Sequence, residues 1–311
     1  MIEIKDLVKK FGTAKVLDQV SFTVNKGEIL GFLGPNGAGK TTTMKIITSF
    51  WGATSGSVSI DGLDVADHSL ETRKKIGYLP ENVPLYDDMR VDEYLRFIAE
   101  VRQVDSDKIK SRIKEVAELC NLEKVLHRPI DELSKGFRQR VGLAQAIIHD
   151  PEILILDEPT TGLDPNQIVE IRDLIKRLGK EKTVIFSTHI LSEVSATCDR
   201  VIIINNGKIV GEGSPSELVA KSGVKEFLTL SVRGDQFDVV EKIRGVESVA
   251  RVEVKRFEDG IVNLEIEPVD GHDPREAVMR VVINSGWGIV EFTQKQHSLE
   301  DVFRTLTAIN H

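Results

Sequence analysis

The stretch Gly34-Pro35-Asn36-Gly37-Ala38-Gly39-Lys40-Thr41 decides the fold. It satisfies G-x-x-x-x-G-K-[ST] and stands between the apolar run Ile29-Leu30-Gly31-Phe32-Leu33 and a stretch with helical spacing, Thr41 to Phe50. Strand, glycine turn and helix in that order make a phosphate cradle. The glycines let backbone N–H groups turn inward, and the helix N-terminus adds positive potential. Lys40 is then the group that reaches the outer phosphates, and the Thr41 hydroxyl is a Mg²⁺ ligand, with Thr42 counted beside it as nucleotide-binding. A bare glycine-rich turn is the plain alternative, and the flanking strand and helix argue against it.

Working outward, Ile153-Leu154-Ile155-Leu156, Thr183-Val184-Ile185-Phe186 and Val201-Ile202-Ile203-Ile204 are three more continuous apolar runs. Strands of that kind are covered on both faces, which predicts an α/β fold with a mostly parallel core sheet. Asp157-Glu158 follows the second run, where a carboxylate stands beside the phosphate crevice of such a sheet. Asp157 is the expected Mg²⁺ ligand and Glu158 the group that polarises the attacking water. Between Asp92 and Ile148 helical patterns replace strands, so a helical subdomain over about 82–148 is expected.

The turn residues Gly211-Glu212-Gly213-Ser214-Pro215 mark a boundary, followed by one helical stretch, Pro215 to Lys221. This gives domains of 1–222 and 223–311. Alternation at Leu228, Leu230 and Val232, and again at Val262, Leu264 and Ile266, frames helical spacing at Phe237, Val240 and Ile243. Asp273-Pro274 starts a second helix as cap and first turn. With strands near 249–254 and 288–293, residues 225–295 read β-α-β-β-α-β, a ferredoxin-like α+β order. Ser298 to Leu306 reads as a closing helix.

Composition removes other classes. The chain of 311 residues carries a formal net charge of −8, against a nucleic-acid binder with a broad phosphate-contacting surface. Two cysteines, Cys120 and Cys198, make no disulfide framework and suit a reducing cytosol. No apolar run approaches the roughly 18 residues of a membrane span, and Met1 to Lys10 lacks a signal-peptide pattern. His68, His127, His149, His272, His297 and His311 lack metal-ligand spacing and read as surface residues.

These motifs together resemble the ATP-binding cassette (ABC) ATPase, the motor subunit of ABC transporters. Leu133-Ser134-Lys135-Gly136-Phe137-Arg138-Gln139-Arg140 looks like the family's signature loop with the helix behind it, and Ser134 precedes Asp157 by 23 residues. Thr161-Gly162-Leu163-Asp164 is similar to the D-loop, and Ser187-Thr188-His189 to the segment carrying the switch histidine. Phe11-Gly12 is similar to the aromatic position that stacks on adenine. The resemblance covers residues 2–215 and implies a P-loop ATP-binding cassette that binds ATP with Mg²⁺. It implies that Ser134 and Gly136, with Asp164, meet the γ-phosphate held by a second cassette, a homodimer being expected. His189 is implied to contact the γ-phosphate and position the water.

Two departures accompany the resemblance. The family's glutamine after Ile76-Gly77-Tyr78-Leu79-Pro80 is Glu81 here, which retains an oxygen for a cation but adds negative charge. Lys135 and Phe137 replace the usual glycine and glutamine of the signature, while Ser134 and Gly136 remain. Leu79-Pro80-Glu81 and Ser298-Leu299-Glu300-Asp301-Val302-Phe303 are similar to ATP-binding subunits of ABC-2 type exporters, including the gliding-motility-associated ones. That implies a separate transmembrane permease partner and a cytoplasmic place on the inner face of the cell membrane. Asn82 to Phe97 either packs the helical subdomain or lines a groove for that partner.

A soluble ABC ATPase acting on a non-transport partner, its C-terminal domain sensing a ligand, is the alternative. Ribosome-acting relatives carry two cassettes, and DNA-repair relatives separate phosphate loop and acidic strand by long coiled coil. Here the interval from Lys40 to Asp157 is 117 residues without heptads. A GTPase reading would need Asn-Lys-x-Asp, and Asn25-Lys26-Gly27-Glu28 ends in the wrong residue ahead of the loop.

Overall fold

The computed structural model describes residues 1–221, 227–269, 271–295 and 299–308. Its six-stranded sheet has the order β10-β9-β3-β8-β7-β6. Strands β3 (Ile29–Leu33), β6 (Ile76–Leu79), β7 (Ile153–Asp157), β8 (Thr183–Thr188) and β9 (Arg200–Asn205) run parallel, and β10 (Lys208–Gly213) pairs antiparallel with β9. The continuous apolarity of these strands has a direct cause. Leu154 and Leu156 of β7 pack on one face with Val184 and Phe186 of β8, whereas Ile153 and Ile155 pack on the other with Ile185. All four β7 residues are at most 4% exposed, each burial contributing about 1.5–3 kcal/mol. That anchoring holds Asp157, the last residue of β7, at the strand's carboxyl end.

One face of the sheet carries the helical cluster built from α3 (Val91–Val101), α4 (Ile109–Leu119), α5 (Lys135–Ile147) and α6 (Pro165–Gly179). The Arg112 guanidinium on α4 donates to Ile147 O at 2.9 Å and Ile148 O at 3.1 Å, satisfying carbonyls at the end of α5. On the other face lie α1 (Lys40–Ile47) and an antiparallel sheet, β2-β1-β4-β5, which the sequence reading passed over. Its strands are β1 (Ile2–Phe11), β2 (Ala14–Val24), β4 (Ser55–Ile60) and β5 (Leu63–Asp64). The short helices α2 (Ser69–Lys74) and α7 (Leu191–Thr197) belong to this unit, and α8 (Pro215–Lys221) follows β10. No helix among the described residues is long and apolar enough to cross a membrane.

Contacts group Met1–Leu218 with the chain from Leu306 onward, and Val219–Thr305 as a second unit. The expected boundary at 222–223 lies outside the described residues. The second unit has β11 (Phe227–Arg233), α9 (Gln236–Arg244), β12 (Val249–Glu258), β13 (Ile261–Pro268), α10 (Arg275–Asn284) and β14 (Gly288–Lys295). All its strand pairs are antiparallel, in the order β12-β13-β11-β14. Leu228, Leu230, Val232, Val262, Leu264 and Ile266 bury one face against Val239 and Ile243 of α9 and Val278 and Val282 of α10. A helix, α11 (Leu299–Ala308), ends the described chain; Ser298 lies outside the described residues.

Several expectations need correction. The helix from the phosphate loop stops at Ile47, not Phe50, because Ser49 takes the left-handed conformation (φ 56°) and Phe50 N returns to Lys45 O at 2.8 Å. Gly211 to Gly213 form strand rather than turn, pairing with Ile203, Ile202 and Val201. Helix α10 begins one residue late: Pro274 takes the N-cap position and Asp273 Oδ1 accepts from Arg275 N at 3.0 Å. Within 82–97, Val83, Leu85 and Met89 pack against the helical core, whereas Tyr86 is 52% exposed.

Candidate active site

The phosphate loop joins β3 to α1, and α1 starts without a side-chain cap. Gly39 takes its N-cap position at φ 108°, and a Cβ there would come within 2.6 Å of Leu17 Cδ2, so only glycine fits. The first-turn N–H groups are therefore left for a ligand. Lys40 is 5% exposed, and its Nζ donates to Gly34 O at 2.8 Å and Pro35 O at 3.2 Å. It also pairs with Glu158 Oε1 at 3.2 Å. Asn36, Gly37, Gly39, Lys40, Thr41 and Thr42 line one cleft of about 460 Å³ together with Glu81 and Glu158. That volume falls in the range of nucleotide-sized sites.

The ends of β7 and β8 hold the acidic pair. Ser187 Oγ donates to Asp157 Oδ1 at 2.6 Å, and Thr41 Oγ1 donates to the same oxygen at 3.1 Å. Oδ2 of Asp157 is buried and has no partner among the described residues. Burial raises the Asp157 carboxyl above its ordinary range, the Ser187 and Thr41 hydroxyls oppose this, and the Glu81 and Glu158 carboxylates add to it. Glu158 sits at φ 50°, with its N–H on Ser187 Oγ at 3.1 Å. Its Oε2 lies 2.9 Å from His189 Nδ1 and accepts from Thr161 Oγ1 at 3.3 Å. A non-glycine residue held in this conformation, at the end of a buried strand, marks stored strain beside chemistry.

The remaining site residues occupy other elements. Ser134 caps α5, its Oγ accepting from Phe137 N at 3.4 Å, and Asp164 caps α6, accepting from Gln167 N at 3.0 Å. Gly136 is buried beneath the Gln167 side chain, which a Cβ there would meet at 2.6 Å. Lys135 extends to Gly162, where any Cβ would collide with its Nζ. Phe11 closes the β1–β2 hairpin and is 43% exposed. Glu81 is exposed.

Sequence reasoning assigned no role to Ser187, Thr161 or Tyr78. Ser187 binds both acidic residues, and its only sequence signal was its place beside Thr188-His189. The Tyr78 hydroxyl is buried without a partner and is raised by burial, then by the Asp157 and Glu81 carboxylates. His149 is not a surface residue. Its Nε2 meets Ile76 O at 3.1 Å, which requires an Nε2–H, and burial lowers its pKa from 6.5 to about 4. His297 and His311 lie outside the described residues.

A family model described as ABC transporter matches residues 17–161. The chain is 36% identical over 308 residues to an uncharacterized ABC transporter ATP-binding protein of Bacillus subtilis (strain 168), YxlF, covering 97% of this chain and 98% of that one. It is 32% identical over 259 residues to the linearmycin resistance ATP-binding protein LnrL of the same organism, covering 83% of each. Among solved structures, the ATP-binding cassette MJ0796, a dimer in a post-hydrolysis state bound to ADP and Pi, superposes with a TM-score of 0.64. It shares 27% identity, covering 69% of this chain and 98% of that one. With its phosphate loop and Glu158 lining one cleft and His189 against Glu158, the chain belongs to the family of ABC transporter ATP-binding proteins.

Proposed function

We propose that the chain binds and hydrolyses ATP to drive export through a separate transmembrane permease of the ABC-2 type, at the inner face of the cell membrane. Two copies close head to tail around two ATP molecules. Residues 1–222 form the cassette, and 223–311 a ferredoxin-like accessory domain. The observation that carries this reading is the chain of contacts from the buried pair Lys40 and Glu158 out to His189. Export is supported by the likeness to a resistance protein.

The oxygen set suits Mg²⁺: the Thr41 hydroxyl, a buried Asp157 oxygen lacking a partner, and Glu81 across the cleft. Bound there, the ion neutralises charge on the β- and γ-phosphates. Lys40 pairs with Glu158; phosphate oxygens compete for its ammonium and release the Glu158 carboxylate to accept a proton from the attacking water. His189 holds Glu158 through Nδ1, which leaves Nε2 as the nitrogen to face the γ-phosphate. Phe11 stacks on adenine, and Ser134, Gly136 and Asp164 of one copy face the nucleotide of the other.

Phosphate release by the purified chain with ATP and Mg²⁺ tests the enzyme, and copurification with a membrane-spanning protein from solubilised membranes tests the partner. A chain that binds ATP and drives turnover only with a soluble partner would favour the non-transport reading.

A further inference from the structure

The tip of the β1–β2 hairpin carries a set of ring contacts that the phosphate chemistry does not use. Phe11 and Trp51 meet edge to face, their centroids 5.0 Å apart at 72°. Lys9 Nζ lies 4.9 Å from the Phe11 centroid and is itself fixed by donating to Gly52 O at 2.6 Å. Lys45 Nζ stands 4.5 Å from the Trp51 ring centroid. Lys45 belongs to α1, the helix that begins at Lys40. A single ring at the tip of a two-residue turn has little to hold it, and Gly12 in that turn is at φ 58°. Trp51, partly buried against the core, supplies the missing wall.

We infer that Trp51 is a positioning residue for base recognition: it holds Phe11 in the orientation that receives adenine and links that ring to the helix of the phosphate loop. This rests on the reading that Phe11 contacts the base. Aromatic pairs of this geometry contribute about 0.5–1.5 kcal/mol beyond burial, a factor of roughly two to ten in affinity. Removing the wall therefore weakens nucleoside triphosphates and spares a ligand that has phosphates only.

The test compares a non-hydrolysable ATP analogue with inorganic tripolyphosphate on the full chain, by calorimetry, for Phe11→Ala, Trp51→Ala and Trp51→Phe. The chain has two tryptophans, Trp51 and Trp287, so a Trp287→Phe background makes Trp51 the sole indole fluorophore. The expected result is a several-fold loss of analogue affinity in Trp51→Ala with tripolyphosphate unchanged, and recovery in Trp51→Phe. In the Trp287→Phe background, Trp51 emission shifts with the analogue and not with tripolyphosphate, a readout that needs no change at position 51. Unchanged analogue affinity in Trp51→Ala with a loss in Phe11→Ala overturns the inference and keeps the base contact. Equal losses for both ligands in Trp51→Ala also overturn it, since Trp51 would then support α1 as a whole. No loss in Phe11→Ala removes the base contact itself.

Discussion

Helices α1 and α5 have N-termini built in opposite ways. α1 begins at a left-handed glycine with no side-chain cap, so its first-turn donors stay available. α5 begins at Ser134, whose hydroxyl already takes the Phe137 N–H, and its Gly136 lies under Gln167. An uncapped terminus with a buried lysine is a phosphate site in its own right; a capped one adds donors to a phosphate already held elsewhere. Under the proposed function that asymmetry makes α1 the strong half-site and α5 the weak one, and pairing of two copies completes both.

The largest effect should fall on the strong half. Lys40→Ala removes the buried ammonium and should abolish detectable ATP turnover; normal phosphate release by this variant would break the comparison at once. Glu158→Gln comes next, keeping the shape and the Thr161 contact while losing the base, so turnover should fall about 10²- to 10⁴-fold with ATP binding retained. Single-turnover kinetics would measure this.

Acid stability separates fold from site. His149 binds its proton at about pH 4 when folded and about 6.5 when unfolded. The unfolded chain therefore takes up protons first, and stability is lost as pH falls from about 6.5 to 4, by on the order of 3 kcal/mol. His149→Gln should flatten denaturation midpoints across that window, and an unchanged acid slope would deny His149 this role. Smallest is the weak half-site's own fold: Ser134→Ala removes one cap and should cost about 1 kcal/mol or less, read as a small shift in the thermal midpoint.

How much of this was legible in the sequence varies with physical cause. The parallel strands announced themselves because both faces of β7 and β8 are apolar, Gly39 and Lys40 because the loop pattern needs those residue types, and Asp157 because it closes an apolar strand. The β1–β2 hairpin was missed: Ile2 and Ile4 alternate, but a register shift between Ile4 and Leu7 puts Leu7 out of step. Trp51 carries no motif and Ser187 only its place beside Thr188-His189, and packing brings them to Phe11 and Asp157. His149 looked like surface because its neighbours Asp150 and Pro151 are turn residues, whereas its ring turns inward to Ile76.

The central claim is that the weak half-site serves the nucleotide of a second copy. Light scattering of Glu158→Gln with ATP and Mg²⁺ tests it most directly, since unhydrolysed nucleotide should hold two chains together. The account predicts a monomer without nucleotide, a dimer of twice the mass with ATP, and a return to monomer when Ser134→Arg is added while ATP binding persists. A Glu158→Gln, Ser134→Arg chain that still dimerises with ATP would contradict it.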